Sequence, residues 1–579
     1  MNLSSRIMSF LVVLAFTIVQ TGASPDPVTD NWHADLQIPT GTLSLIFVIA
    51  EDDDGNLTAH LESPDQSPGQ HIPISEIDVT DNHLSIKIGI VGASIDADWN
   101  DDQQYWEGTF SQGAEIPIII KRGLPAKKPT IKGLDGDWKA TINRNGVDLR
   151  LILHIQTTDS GTSATIDSPD TMANNISVSD LTKDGDQVGY KIAIIDGVFK
   201  GTLTGPNTLV GTWDVEGEET LTVTYTRTDE VIKRNRPQVP TEPYGYQVEE
   251  ITYKNTRADD VKLSGTLTYP VGEGPFPAAI LISGSGPQDR DETIFGHQPF
   301  LVLADHLTKQ GIAVLRYDDR GVGESTGDYS NANSADFATD ANAAFEYLLT
   351  RSDIDHDSIG FIGHSEGGLI APLAITDPKL GANADQPIAY MVMLAGPGTS
   401  AMQISSSQRR LIAQSQGVTE EDLHESDAIN RSILQAVANA TSTQDAKDKI
   451  RAVLTPDAME ILGINELQAQ NVIAQNSSPW IRYFLGYDPA DYLPQIEIPI
   501  LALNGELDLQ VPAPENLAGL RALLKDNPDT TIIELESLNH MFQHAKTGAM
   551  GEYNDIEETF SPQAMKLISE WINQRFGTE

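Results

Sequence analysis

Ser365 sits between two glycines, in Gly363-His364-Ser365-Glu366-Gly367. An apolar, strand-like run, Ser358-Ile359-Gly360-Phe361-Ile362, leads into this stretch. A small-residue helix pattern begins at Gly368 and runs through Leu369, Ile370, Ala371 and Leu373. Strand, sharp turn and helix are the context in which G-x-S-x-G carries a nucleophile. The demand is steric. A residue at the tip of so tight a turn is held in a strained backbone conformation, and side chains at Gly363 and Gly367 would strike neighbouring backbone. The geometry exposes the serine hydroxyl and aims the Glu366 amide into an anion site at a helix N-terminus. The chemistry this predicts is attack by Ser365 on an electrophilic carbon.

A serine hydroxyl needs a base to take its proton, and the base needs an acid to fix its tautomer. In this chain context the acid and then the histidine follow the serine. Three histidines do so: His424, His540 and His544. His424 falls among charges in a helical pattern and reads as a solvated residue. His540 follows the strand pattern ending at Leu535 by a few residues, where a base on a loop belongs, and His544 is the alternative. For the acid, Asp508 follows the apolar run Pro499-Ile500-Leu501-Ala502-Leu503, and Glu506 competes with it. A loop at the carboxyl end of a parallel strand faces the functional edge of the sheet. The second oxyanion donor is expected in the loop after the first parallel strand. Ser283-Gly284-Ser285-Gly286 occupies that place, and the Ser285 amide is predicted to act with that of Glu366. There is no cysteine, which removes disulfides, thiolate metal sites and thiol nucleophiles. No metal or cofactor is implied by this chemistry.

Strands must alternate with helices to position these residues, and from residue 246 they do. Apolar strand runs are predicted at Ala278–Ile282, Ile312–Leu315, Ile388–Ala395, Ile498–Leu503 and Thr530–Leu535. Helices are predicted over Pro299–Lys309, from a Ser334 cap with Phe337, Ala341, Phe345 and Leu348 on one face, and from Ser561-Pro562. Continuous apolar strands in βα alternation mean a buried parallel sheet. About 100 residues, from about 397 to 492, lack any strand pattern and are too long for an unstructured loop, so they are expected to form a helical cap. Thr419 and Thr455 mark two helix starts there. Trp480, Ile481, Phe484 and Leu485 make an apolar stripe, either the packing face of the cap or a substrate wall.

Residues 24–233 read as an internal duplication. Trp32-His33-Ala34 matches Trp138-Lys139-Ala140, and Leu61-Glu62-Ser63-Pro64-Asp65 matches Ile166-Asp167-Ser168-Pro169-Asp170. The spacing between copies stays near about 105 residues. Period-2 runs broken by turn residues predict two tandem antiparallel sheet or barrel-like repeats, 24–126 and 127–233. Trp99, Tyr105 and Trp106 are candidates for an exposed ligand surface or for core packing. A proline-rich linker, 234–245, leads to the unit 246–579. At the N-terminus, Arg6, an apolar run from Ile7 to Val19 and Thr21-Gly22-Ala23 have the order of a cleaved secretory signal, residues 1–23. A secreted or periplasmic protein without a membrane anchor is expected. With Lys+Arg 38 against Asp+Glu 83, the net charge is −45. Such a surface repels nucleic acid and anionic lipid, and neither is expected as a partner. Oligomeric state is left open.

The serine elbow, the Ser-Asp-His order, Ser283 to Glu292 and Tyr317 to Ser325 together resemble the α/β-hydrolase superfamily, and within it secreted bacterial serine carboxylesterases with N-terminal β repeats. The resemblance implies an α/β-hydrolase fold with a helical cap, a Ser365-His540-Asp508 triad, and hydrolysis of small-molecule carboxylic esters through an acyl-enzyme without cofactor. A serine peptidase using the same triad, or a β-module binding protein with an inactive hydrolase unit, are the competing readings. Asp289, Arg290, Asp291 and Arg320 belong to the same pattern and are expected to serve structure through charge pairing.

Overall fold

In the computed structural model, residues 28–577 are described, apart from 39–40, 53–54, 65–70, 81, 89–92, 113–114, 126, 145–146, 159–160, 172, 193–194, 216–219, 229–235, 259–260 and 383–385. The segment 1–23, expected to be a secretory signal, lies outside the described residues.

Among the described residues, two nine-stranded antiparallel sheets come first, one from Asp30 to Arg122 and one from Gly136 to Thr228. Counting strands within each copy, both have the order 4-3-2-1-9-8-7-6-5. Alternation of apolar and polar residues gives each sheet one buried face. Trp99 and Trp106 lie in the first of these cores, 9% and 0% exposed, so they are packing residues and form no exposed aromatic surface.

The C-terminal unit holds an eight-stranded sheet. Its order across the sheet is Gln247–Lys254, Lys262–Tyr269, Ala313–Tyr317, Phe276–Ile282, Ile354–His364, Tyr390–Leu394, Ile500–Gly505 and Thr530–Leu535. The first three of these pair antiparallel, and the rest are parallel. The central strands are buried on both faces, as their unbroken apolar runs require. Ala278, Ile280 and Ile282 meet the helices Ser334–Leu348, Gly367–Thr376 and Ala513–Leu523. Ala279 and Leu281 meet Pro299–Lys309 and Pro562–Phe576 on the other face.

Between Leu394 and Ile500, six helices run from Ala401 to Leu485. Each begins at a Ser, Thr or Asn whose side chain accepts a backbone amide: Ser400, Thr419, Ser442, Thr455, Asn465 and Ser478. Such a cap contributes about 1 kcal/mol. The helices share a small core of their own around Ile433, Val437, Ile450 and Leu485. One predicted cap is corrected. Asn333, not Ser334, caps the helix Ser334–Leu348, because Asn333 and Asp336 form a reciprocal capping box. This leaves the Ser334 hydroxyl free to bond elsewhere. Among the described residues no helix is long and apolar enough to cross a membrane.

Candidate active site

Ser365 has φ +52°, in the left-handed region that a non-glycine residue adopts only under constraint. The constraint is visible. Its amide donates to the Leu394 carbonyl of the neighbouring strand at 2.8 Å. A Cβ on Gly363 would lie 2.1 Å from the Gly367 carbonyl oxygen, and one on Gly367 would lie 2.1 Å from that of Ile282. Both glycines are therefore required by close backbone approach, as the sequence pattern implied.

His540 lies on the loop after Thr530–Leu535. Its Nδ1 donates to Asp508 Oδ2 at 2.8 Å. Asp508 Oδ1 accepts the amides of Gln510 and Val511, both at 2.8 Å. The carboxylate is fully buried, so these bonds leave it little freedom to turn. The His540 backbone is held as well: its carbonyl accepts from His364 Nε2 at 3.0 Å, and its amide faces the Tyr553 hydroxyl. Ser365 and His540 line one cavity of about 240 Å³. The alternatives sit elsewhere. Glu506 is exposed and accepts the Ser537 amide, and His544 is 52% exposed and pairs with Glu558. His424 lies exposed on the helix Glu420–Ala438.

The loop Ser283–Gly286 borders the same cavity. The Gly284 amide is taken by Glu292 Oε1 at 2.7 Å. Among the described residues neither the Ser285 nor the Glu366 amide is seen to donate to another protein group. Both residues line the cavity. The Glu366 side chain is buried beside them. Its Oε1 accepts from the Ser334 hydroxyl at 2.6 Å and from Trp480 Nε1 at 2.7 Å, and the Ser285 hydroxyl bonds it too. Burial raises its pKa, and these three donors only partly offset the effect. Glu366 thus ties the elbow to the helix at Ser334, to the loop at Ser285 and to the cap at Trp480. With Ile481 and Phe484, Trp480 lines the cavity, so the apolar stripe of the cap is both packing face and wall. Among the described residues the cavity carries two carboxylates, Glu292 and Glu366, and no lysine or arginine.

A family model described as serine aminopeptidase, S33, matches residues 298–446. Esterase EstD of Thermotoga maritima is 26% identical over 303 residues, which is 52% of this chain and 61% of that protein. The putative hydrolase YtaP of Bacillus subtilis is 33% identical over 118 residues, 17% of this chain. The chain thus spans 61% and 38% of the lengths of these two relatives. Among solved structures, an esterase of Pyrococcus furiosus superposes with a TM-score of 0.36 at 16% identity, over 59% of this chain and 98% of that one. The C-terminal unit has an α/β-hydrolase fold and is similar in sequence to these hydrolases.

Two residues of this hydrolase unit's site were not singled out by sequence reasoning. Glu292 was legible only as part of a family-like run, and His364 only as the variable position before the serine. Nothing in their spacing reports that they meet. Of the neighbouring charges expected to pair, Arg290, Asp291 and Arg320 do so, whereas Asp289 accepts the Asp291 and Thr293 amides, both at 3.0 Å. Arg290 pairs with Asp318 at 2.7 Å and with Glu250 and Glu324; Arg316 pairs with Asp291; Arg320 pairs with Asp340 at 2.7 Å. Outside the hydrolase unit, His60, Glu62 and His71 bring their ligand atoms within 4.8 Å of one another in the first sheet, apart from the Ser365 cavity.

Proposed function

We propose that this protein is an exported serine carboxylesterase acting on small or medium acyl esters. The observation that carries the reading is the His540–Asp508 bond at 2.8 Å beside a cavity shared with a left-handed Ser365. Ser365 Oγ attacks the ester carbonyl while His540 Nε2 takes its proton. Asp508 holds the other ring nitrogen protonated and stabilises the imidazolium that forms. The tetrahedral oxyanion is received by the Ser285 and Glu366 amides; one such donor is worth about 2.7 to 4 kcal/mol of transition-state stabilisation. His540 then protonates the leaving alcohol, and water repeats the sequence on the acyl-enzyme. No step calls for a cofactor. The absence of cationic lining among the described residues favours neutral substrates over anionic ones. The name of the Thermotoga relative supports the ester reading, and the signal-like N-terminus supports export.

The aminopeptidase description of the matching family model favours a second reading, a serine peptidase with the same groups. Paired assays on nitrophenyl acyl esters and aminoacyl anilides separate the two, and a large excess of anilide turnover rejects the esterase. Ser365→Ala is expected to lower kcat by on the order of 10⁶, since members of a triad act as a unit. Retained turnover would remove Ser365 from its role.

A further inference from the structure

His364 is buried directly under the elbow, and both its ring nitrogens are engaged. Nδ1 meets Glu292 Oε1 at 2.8 Å, and Nε2 meets the His540 carbonyl at 3.0 Å. A backbone carbonyl only accepts, and so does an ionised carboxylate. With Glu292 ionised, satisfying both requires a proton on each nitrogen, which makes His364 an imidazolium and Glu292 its counter-ion. The same Glu292 oxygen also accepts the Gly284 amide at 2.7 Å. One carboxylate and one ring thus join three segments that are distant in sequence: the loop before Ser285, the elbow before Ser365 and the loop bearing His540. The fit is close. A Cβ on Gly284 would lie 3.1 Å from Glu292 Oε1 and 3.3 Å from the Ser365 Cβ. Glu292 itself has φ +52°, so its backbone is held in a strained conformation.

We propose that Glu292 and His364 form a buried charged pair that positions the oxyanion loop and the His540 loop around Ser365, the proton on His364 Nε2 being what holds His540 in register. Neither touches the reacting atoms, so both are positioning residues, and the assignment rests on Ser365 and His540 being nucleophile and base. Gly284 fixed by Glu292 leaves the next amide, that of Ser285, to face the cavity. The groups facing His364 are consistent with its charge. Burial pulls its pKa down, but Glu292 beside it, the His540 carbonyl and Asp508 beyond outweigh that, and the net shift is upward from 6.5. The His540 ring, with its centroid 4.9 Å away, is the other titratable neighbour. As pH rises through this raised value, His364 Nε2 loses its proton and two lone pairs then oppose each other. The His540 loop loses its tether.

The test uses a fluorophosphonate, which reacts with an activated serine whether the natural substrate is an ester or an amide. Its second-order labelling rate is followed against pH in the full chain. The wild-type rate is expected to fall at high pH, in an alkaline limb that comes from His364. In Glu292→Gln the alkaline limb moves to lower pH, and the maximal rate falls on the order of 100-fold, the cost of misplacing a catalytic group by about 1 Å. Glu292→Asp, which keeps the charge, recovers part of the rate. Two results overturn the proposal: a wild-type plateau that persists to high pH, or folded Glu292→Gln and His364→Gln variants that label at the wild-type rate with an unmoved limb. The wild-type profile decides even if the variants fail to fold. Absence of wild-type labelling, or its persistence in Ser365→Ala, rejects the nucleophile reading itself and takes this proposal with it.

Discussion

Trp32 and Trp138 hold the same place in two sheets of the same strand order. Each donates its indole N–H to the carbonyl four residues earlier, at 2.8 Å, and each lies under an arginine, Arg122 at 4.7 Å and Arg227 at 4.5 Å. The cores beside them differ. In the first sheet Trp99 and Trp106 pack on Trp32, and among the described residues the indole nitrogens of both find no acceptor. In the second, Trp213 Nε1 donates to the Tyr190 hydroxyl at 3.0 Å, and that hydroxyl bonds Tyr225 at 2.8 Å. The larger difference is at Arg150, whose counterpart in strand register is Ser44. Arg150 pairs with Asp170 of its own sheet and reaches the hydrolase unit at Asp555 and at the Gly551 carbonyl. Tyr553, between those two contacts, is the residue whose hydroxyl meets the His540 amide. Ser44 instead bonds Asp35 within its own sheet. Two copies of one fold thus stand in different relations to the candidate site, and Arg150 in place of Ser44 supplies one of the contacts that distinguish them. The pattern that builds the sheet and the residues that dock it are separable.

The largest effect is expected from the paired core truncations Trp32→Ala and Trp138→Ala, each costing about 3 to 5 kcal/mol in denaturant unfolding. Only the second is expected to lower ester turnover in protein that remains folded; equal losses of turnover would show that both sheets support the site. Tyr190→Phe strands the Trp213 N–H and the Tyr225 hydroxyl, and a loss of about 1 to 3 kcal/mol is expected in the same measurement. Arg150→Met removes a partly exposed network, so its cost in stability is small, about 1 kcal/mol. Its signature is a lower kcat at unchanged KM, whereas Ser44→Met leaves both unchanged. Unaltered kcat in Arg150→Met would sever the second sheet from the His540 loop.

The smallest expected effect is a pH dependence. His154, with Val48 at its register position in the first sheet, bonds Asp167 at 3.1 Å and Asp137 at 2.8 Å. The Asp167 bond leads in raising its pKa from 6.5 to about 8, against the opposing effect of burial. A raised folded-state value means that the protonated form is favoured by folding. Its stabilisation is whole below pH 6.5 and is lost as pH rises through about 8. Melting of the second sheet is expected to shift down across that window, and His154→Val is expected to remove that share of the shift.

The elements of the hydrolase unit were largely legible because their signals are local. The helix Pro299–Lys309 and the strand Thr530–Leu535 have the predicted ends. Gly363 and Gly367, flanking Ser365, announce a close backbone approach that only glycine allows. Asp508 and His540 could be placed because each follows a recognisable strand. Ser334 was misread because Asn333 beside it is an equally good cap, and Glu366, from 32 positions away, claims the serine hydroxyl. For Trp99 and Trp106 the sequence offered both core packing and a ligand surface, because a single strand does not say which of its faces is covered; the structure packs both in the core. Most cap helices went unplaced: their polar sequences carry little periodicity, and their small shared core forms only when they assemble.

By itself, then, the sequence determined the strands, the elbow, the duplication and the three groups proposed for catalysis, since each depends on neighbours within a few residues. Tertiary structure alone decided that Glu292, His364 and the His540 carbonyl meet, 72 and 176 positions apart in pairs, and that Trp480 closes on Glu366. Those contacts arise where loops at one edge of the sheet converge, and no local pattern encodes that convergence. Around Ser365, local sequence chose the groups proposed to react, and the packing of distant loops fixed what holds them in place.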